Sequence, residues 1–191
     1  MRKGFTRKMK SLLQKYKLVI KFILTFLSVY LMLSLGYKFY LQFSDGSLYY
    51  PDYITHLVAV QCQDLLQVLG YHVEMIPHPN EPSIKVLLNG SYISRIIEGC
   101  NAFSVIILFV SFIAAFASDF KTTFIYMLLG SVLIYVVNLI RIVIINLGLY
   151  YYPEYEAVLH EVIFPVIIYG MMFLLWVFWV NRFSKIKHVN A

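Results

Sequence analysis

Cys100, Arg141 and His160 are the residues whose types could do covalent chemistry together: a thiol, a permanent cation and a proton carrier in apolar surroundings. A cysteine attacks a carbonyl as its thiolate, and a nearby cation raises the thiolate fraction. Imidazole titrates near neutral pH, so His160 is suited to take the thiol proton and return one to a leaving amine. A guanidinium keeps its protons. Arg141 is therefore no base, but it can donate to the oxyanion of a tetrahedral intermediate, with most effect where water is scarce. The chemistry this set would run is acyl transfer. Asn138 lies one helical turn before Arg141 on the same face, where its amide can orient the guanidinium or cap a polar cavity. Glu98 and Glu161 adjoin the cysteine and the histidine. Either could orient His160, or both could face solvent at helix starts, where carboxylates suit the dipole.

Each residue also has a plainer reading. Cys100 could be a small hydrophobe in a buried helix, and His160 an ordinary interfacial histidine. Arg141 could snorkel, but Tyr150, Tyr151 and Tyr152 place an interface about 13 Å further along the helix, beyond the reach of a guanidinium. Cys62 is the only other cysteine. A Cys62–Cys100 disulfide would make Cys100 structural, and sequence periodicity leaves that alternative open. His56, His72 and His78 are scattered without zinc-like spacing, so neither a metal nor a cofactor is expected.

The elements that must position these side chains follow from composition. Of 191 residues 60% are hydrophobic and 14% charged, more apolar matter than one small core absorbs, which points to lipid as solvent. A spanning helix needs about 20 mostly apolar residues, and four stretches qualify: 18–40, 95–117, 122–149 and 160–180. The first could instead be a cleaved signal peptide. Its length, Lys21 and the lack of an Ala-x-Ala site favour a retained anchor.

The charge of +6 is distributed like that of a membrane protein rather than a nucleic-acid binder. Arg2, Lys3, Arg7, Lys8, Lys10, Lys15, Lys17 and Lys21, then Lys121, then Arg182, Lys185 and Lys187 make 12 of the 16 basic residues, accompanied by one acid, Asp119. With four spans these regions share one side. The positive-inside rule makes it cytoplasmic, with 1–17 a basic cytoplasmic tail and both termini inside.

Residues 41–94 then form an external segment. Apolar residues at Ile54, Leu57, Val58, Leu65, Leu66 and Leu69 predict an amphipathic helix over 53–70, lying in the interface or on the other spans. "IPHPNEP" (76–82) reads as a loop, with three prolines in seven residues. "SIKVLLNGSYISRII" reads as a β-hairpin turning at Asn89-Gly90 and leading directly into span two. Its place beside the thiol suggests that it pairs with an extended substrate by strand addition. The expected fold is an all-α integral membrane protein of one domain, 1–191, with about four transmembrane helices, an external amphipathic helix and a small β-hairpin.

Depth is consistent across the set. Cys100 lies 20 residues before Phe120, Arg141 lies 21 after it, and His160 lies 22 before Arg182. At helical rise each is roughly 30 Å from the inner face, near the outer edge of the hydrocarbon.

"EGCNAFSVIILF" (98–109), "NLIRIVIIN" (138–146) and "LHEVIFPVIIYG" (159–170), in that order on successive helices, resemble the exosortase/archaeosortase family, most nearly its exosortase F group. The resemblance covers the last half of the chain. It implies a multi-pass protein of the bacterial cytoplasmic (inner) membrane, with its active site at the outer face. It also implies a cysteine transpeptidase or protease acting on exported proteins that end in a short motif, a transmembrane helix and a basic tail. By resemblance Cys100 matches the nucleophile, Arg141 and His160 the motif arginine and histidine, and Asn138 the asparagine three residues before the arginine. Many relatives carry glycine two positions after the cysteine, where this chain has Ala102. The acceptor for the thioester would be water, a lipid amine or a glycan. Two other readings remain: a non-enzymatic assembly or transport subunit with a structural Cys100, and a thioester-forming acyltransferase.

Overall fold

A computed structural model describes residues 16–44 and 49–183. The basic positions 2–15, Lys185 and Lys187 lie outside them. Helix α1 (Lys17–Ser44) is followed by α2 (Tyr53–Val68), then by strands β1 (Val73–Pro77), β2 (Ser83–Leu88) and β3 (Ser91–Ile97). A 3-10 turn (Glu98–Cys100) leads into α3 (Phe103–Ala115) and α4 (Phe120–Tyr151). A helical run begins at Pro153, opens into a π-helical turn (Leu159–Ile163) and continues as α5 (Phe164–Arg182).

Among the described residues, three segments are long and apolar enough to cross a membrane: Lys17–Ser44, Phe120–Tyr151 and Pro153–Arg182, with mean hydropathies of 2.2, 2.4 and 2.3. Their outward faces are apolar, as at Leu24 (59% exposed), Met32 (69%) and Val166 (65%). Surfaces of this kind mark contact with lipid or another apolar partner.

The stretch expected as span two over 95–117 is shorter. Its helix occupies only Phe103–Ala115, about 20 Å at helical rise against roughly 30 Å of hydrocarbon. Residues 95–97 belong to β3, because Arg95, Ile96 and Ile97 pair with Lys85, Ile84 and Ser83 of β2. The ladder outcompetes the helix there. The bend that follows needs Ala102 at φ +63°, in the left-handed region.

The expected hairpin turns where predicted, with Asn89 at φ +49° and Gly90 at φ +81°, the pair of positive values a type I′ turn demands. It is part of a three-stranded antiparallel sheet ordered β1-β2-β3, so the expectation of a lone hairpin is corrected. The loop expected over 76–82 is corrected as well, since Ile76 and Pro77 end β1. Pro77 is tolerated on this edge strand because it sits opposite Ile84 at a position that donates no ladder hydrogen bond.

Helix α2 starts at Asp52, whose carboxylate accepts from the Ile54 and Thr55 amides at 3.0 Å each, satisfying donors that a helix start leaves open. Its buried face, Val58, Ala59, Cys62 and Leu66, packs with Val73, Ile84, Val86, Leu88 and Ile96 of the sheet and with Ile142 and Val143 of α4. The sheet and α2 therefore sit on the C-terminal half of α4. A second core fills the N-terminal half, where Phe109 and Ile113 meet Ile134, Ile168, Met172 and Trp179. Phe22 and Phe26 of α1 join α3 through Phe116 and Phe112, with ring centroids 4.3 and 4.6 Å apart.

Candidate active site

Cys100 closes the 3-10 turn between β3 and α3. Asn138 of α4 holds this turn by donating its Nδ2 to the Cys100 carbonyl at 2.8 Å. The amide thus grips the backbone of the thiol's own turn, where the sequence pattern allowed it either to orient the guanidinium or to cap a polar cavity. Asn101 is buried beside it. Its Nδ2 donates to the Tyr37 hydroxyl at 2.8 Å and to the Thr55 hydroxyl at 3.2 Å, and its Oδ1 accepts from the Phe103 amide at 2.9 Å. One side chain thereby joins α1 and α2 and caps α3, which has no cap at Ala102.

Arg141 is 3% exposed. Its guanidinium carbon lies 3.3 Å from the centroid of the Phe164 ring, a cation–π contact. Its Nε and Nη2 have no hydrogen-bond partner among the described residues, and neither does Asn138 Oδ1 one turn away. Buried polar groups without hydrogen-bond partners are costly, and the cation–π contact offsets part of that cost.

His160 lies in the π-helical turn, exposed on one side and stacked on Phe164 at 5.7 Å between centroids. Pro165 accounts for the opened turn: it has no N–H for the Glu161 carbonyl, so the ladder loosens just upstream. Phe164 is thus a shared wall, with the guanidinium over its ring and the imidazole stacked on it.

Cys100 and His160 line one cavity of about 590 Å³, bounded also by β3, Phe164 and Glu156. Arg141 stands behind this wall, close enough to act electrostatically on the thiol. The structure therefore brings the thiol, the guanidinium and the imidazole into one neighbourhood. Glu98 is half-buried beside Cys100, with its carboxylate against the Tyr37 hydroxyl. Glu161 is exposed. Glu156, not singled out by the sequence, is the carboxylate on the cavity wall with His160.

Both cysteines are free thiols. Burial pushes the Cys100 thiol above its ordinary value; the Ile97 amide and the Arg141 guanidinium pull it back, and Glu98 adds to the rise. Cys62, fully buried in the α2–sheet core, is pushed up to about 12, chiefly by burial. Cys100 borders the cavity, and because burial raises its thiol it needs a base to react. No cluster of three or more metal-ligating side chains occurs among the described residues.

Sequence reasoning missed several positioning residues. Asn101 and Asn146 are buried polar residues in apolar runs, the signal that drew attention to Arg141, and it could have found them too. Asn146 Oδ1 accepts from Ser94 Oγ at 2.7 Å, fixing β3 to α4. Phe164 and Glu156 gave no such signal, because only the fold reveals what they face.

The chain matches no family model, and comparison with curated proteins and with solved structures gave no match.

Proposed function

We propose that this chain is a membrane cysteine transpeptidase or protease of the exosortase kind, cleaving C-terminal sorting signals of exported proteins through a thioester. The observation that carries this reading is one arrangement. Cys100 and His160 face a common cavity, while Arg141 lies behind it with two buried donor nitrogens unmatched.

The steps follow from those groups. His160 takes the Cys100 proton, and the thiolate adds to the scissile carbonyl, forming a C–S bond. Arg141 donates to the oxyanion, where its free N–H groups and low-dielectric surroundings count most. Collapse of the intermediate breaks the C–N bond, and the imidazolium returns its proton to the leaving amine. Water, a lipid amine or a glycan amine or hydroxyl then adds to the thioester carbonyl, the C–S bond breaks, and the nucleophile's proton passes through His160 to the released Cys100 thiolate. Cytoplasmic termini, suggested by the basic residues, require the short α3 and the turn before it to complete a fourth crossing, and would then put this cavity at the outer face of a bacterial inner membrane. There the substrate's own transmembrane helix would lie beside α4 and α5, with its basic tail inside.

The test is maturation of a co-expressed exported protein bearing such a tail, followed in cells carrying single variants. Cys100→Ala should abolish cleavage, Cys100→Ser should abolish or severely slow it, and Cys62→Ala should leave it nearly intact. Equal damage from Cys62→Ala and Cys100→Ala would overturn the reading and favour a structural cysteine pair.

A further inference from the structure

We propose that the open edge of β3 is a docking strand: an extended polypeptide adds to it as a fourth strand and delivers its carbonyl to Cys100. This deepens the transpeptidase reading and rests on it for the identity of the occupant. The direction of the main-chain groups carries the inference. At the two ends of the β1–β2 ladder the His78 amide donates to Ser83 O at 2.8 Å, and the Asn89 amide donates to His72 O at 2.7 Å. The bonded positions on the β2 side are thus odd-numbered. By the period of two, Ser83, Lys85 and Leu87 direct their main-chain groups toward β1, and Ile84, Val86 and Leu88 direct theirs toward β3.

Ser83 pairs with Ile97 and Lys85 with Arg95. Arg95 and Ile97 therefore turn their N–H and C=O groups away from β2, toward the cavity they help to line. The Ile97 backbone already acts on the Cys100 thiol, so the N–H that this edge offers to an incoming strand is that of Arg95. No described strand covers this edge. Opposite it, across the cavity, stand Glu156 and His160. An edge with unmatched main-chain groups is a template for another strand, and strand addition supplies affinity without demanding particular side chains. Arg95, where the added strand would pair, and Cys100 line the same cavity.

Proline at position 95 separates this role from a structural one. The Arg95 amide takes no part in the β2–β3 ladder, so Arg95→Pro removes only the outward donor. Arg95→Ala loses the same ion pair with Glu81 but keeps the amide. The measurement is Cys100 alkylation in the detergent-solubilised full chain carrying Cys62→Ala. The probes are a tetrapeptidyl chloromethyl ketone of alternating valine and alanine, its alternately N-methylated counterpart, and chloroacetone. In each case the sulfur displaces chloride and a C–S bond forms.

The unmethylated peptide should react faster than chloroacetone, which carries the same warhead without a strand, by about 10-fold or more, the worth of one or two main-chain hydrogen bonds. N-methylation and Arg95→Pro should each remove most of that advantage, and Arg95→Ala should keep it within about twofold. An N-methylated peptide that reacts as fast as its parent, or Arg95→Pro matching Arg95→Ala, would overturn the docking strand. Alkylation needs no turnover, so the two readings fail separately. Strand-dependent labelling in a chain that never cleaves a tail would remove the transpeptidase and keep the docking strand, and cleavage with strand-independent labelling would do the reverse.

Discussion

Around the N-terminal half of α4, polar atoms are closed off. The Tyr126 hydroxyl donates to Leu175 O at 2.7 Å, Trp179 Nε1 to Phe116 O at 3.1 Å, and the Ser111 and Ser131 hydroxyls to their own helices at 2.7 Å. Trp176 Nε1 is the exception. Around the C-terminal half, Arg141 keeps two buried nitrogens unmatched and Asn138 keeps its Oδ1 unmatched. The apolar half behaves as a core, in which fit and satisfied hydrogen bonds set stability. The polar half holds a buried charge that a cation–π contact with Phe164 compensates in place of hydrogen bonds at Nε and Nη2.

Replacing the charge is the strongest way to break this contrast. Arg141→Met should cut cleavage by roughly 10²–10³-fold, the scale of losing an oxyanion donor. Thermal unfolding in detergent should show stability unchanged or raised, because a buried unpaired cation is removed. A destabilised Arg141→Met would mean that the guanidinium is structural and that the two halves do not differ in kind.

Asn101→Ala tests the joint between them. It leaves the Tyr37 and Thr55 hydroxyls and the Phe103 amide without this partner and should cost about 3 kcal/mol of stability, with Cys100 labelling perturbed because the neighbouring turn loosens. Gly130→Ala sharpens the contrast from the apolar side. A Cβ there would lie 2.3 Å from Phe109 Cζ in a ring that is fully buried, so overpacking should cost about 2 kcal/mol. Activity per folded molecule should stay level, and a selective loss of activity would tie the two cores together.

Two effects are smaller. Ala102→Gly should stabilise the chain by about 1 kcal/mol, since the left-handed backbone at φ +63° penalises a Cβ. This is also where the family resemblance led to an expectation of glycine. Cys100 labelling by iodoacetamide should rise about tenfold per pH unit from neutrality until the raised thiol value is passed, because only the thiolate reacts. Cys62 should stay unlabelled throughout. Labelling of Cys100 that is flat from pH 6 to 8 would show a thiolate already formed.

Much of the frame was legible from the chain. Asn89-Gly90 predicts its turn because few residue pairs accept two positive φ values. The apolar face of 53–70 predicts α2, which runs over Tyr53–Val68. The limits of the long helices fall within a few residues of the apolar runs, apart from span two. There, 95–97 have strand partners that no local pattern announces, and β1 was hidden because three prolines suggested a loop. Cys100, Arg141 and His160 stood out because chemically capable side chains are conspicuous in apolar sequence.

By itself, the sequence determined which segments avoid water and which three side chains could react, since both depend on residue type and local spacing. Tertiary structure alone decided that Asn101 would bridge to a tyrosine 64 residues away and that Phe164 would contact both Arg141 and His160. It also decided that the outward edge of β3 would lead to the thiol. Those relations are set by how faces pack against one another, and packing depends on partners distant in the chain that no local pattern encodes.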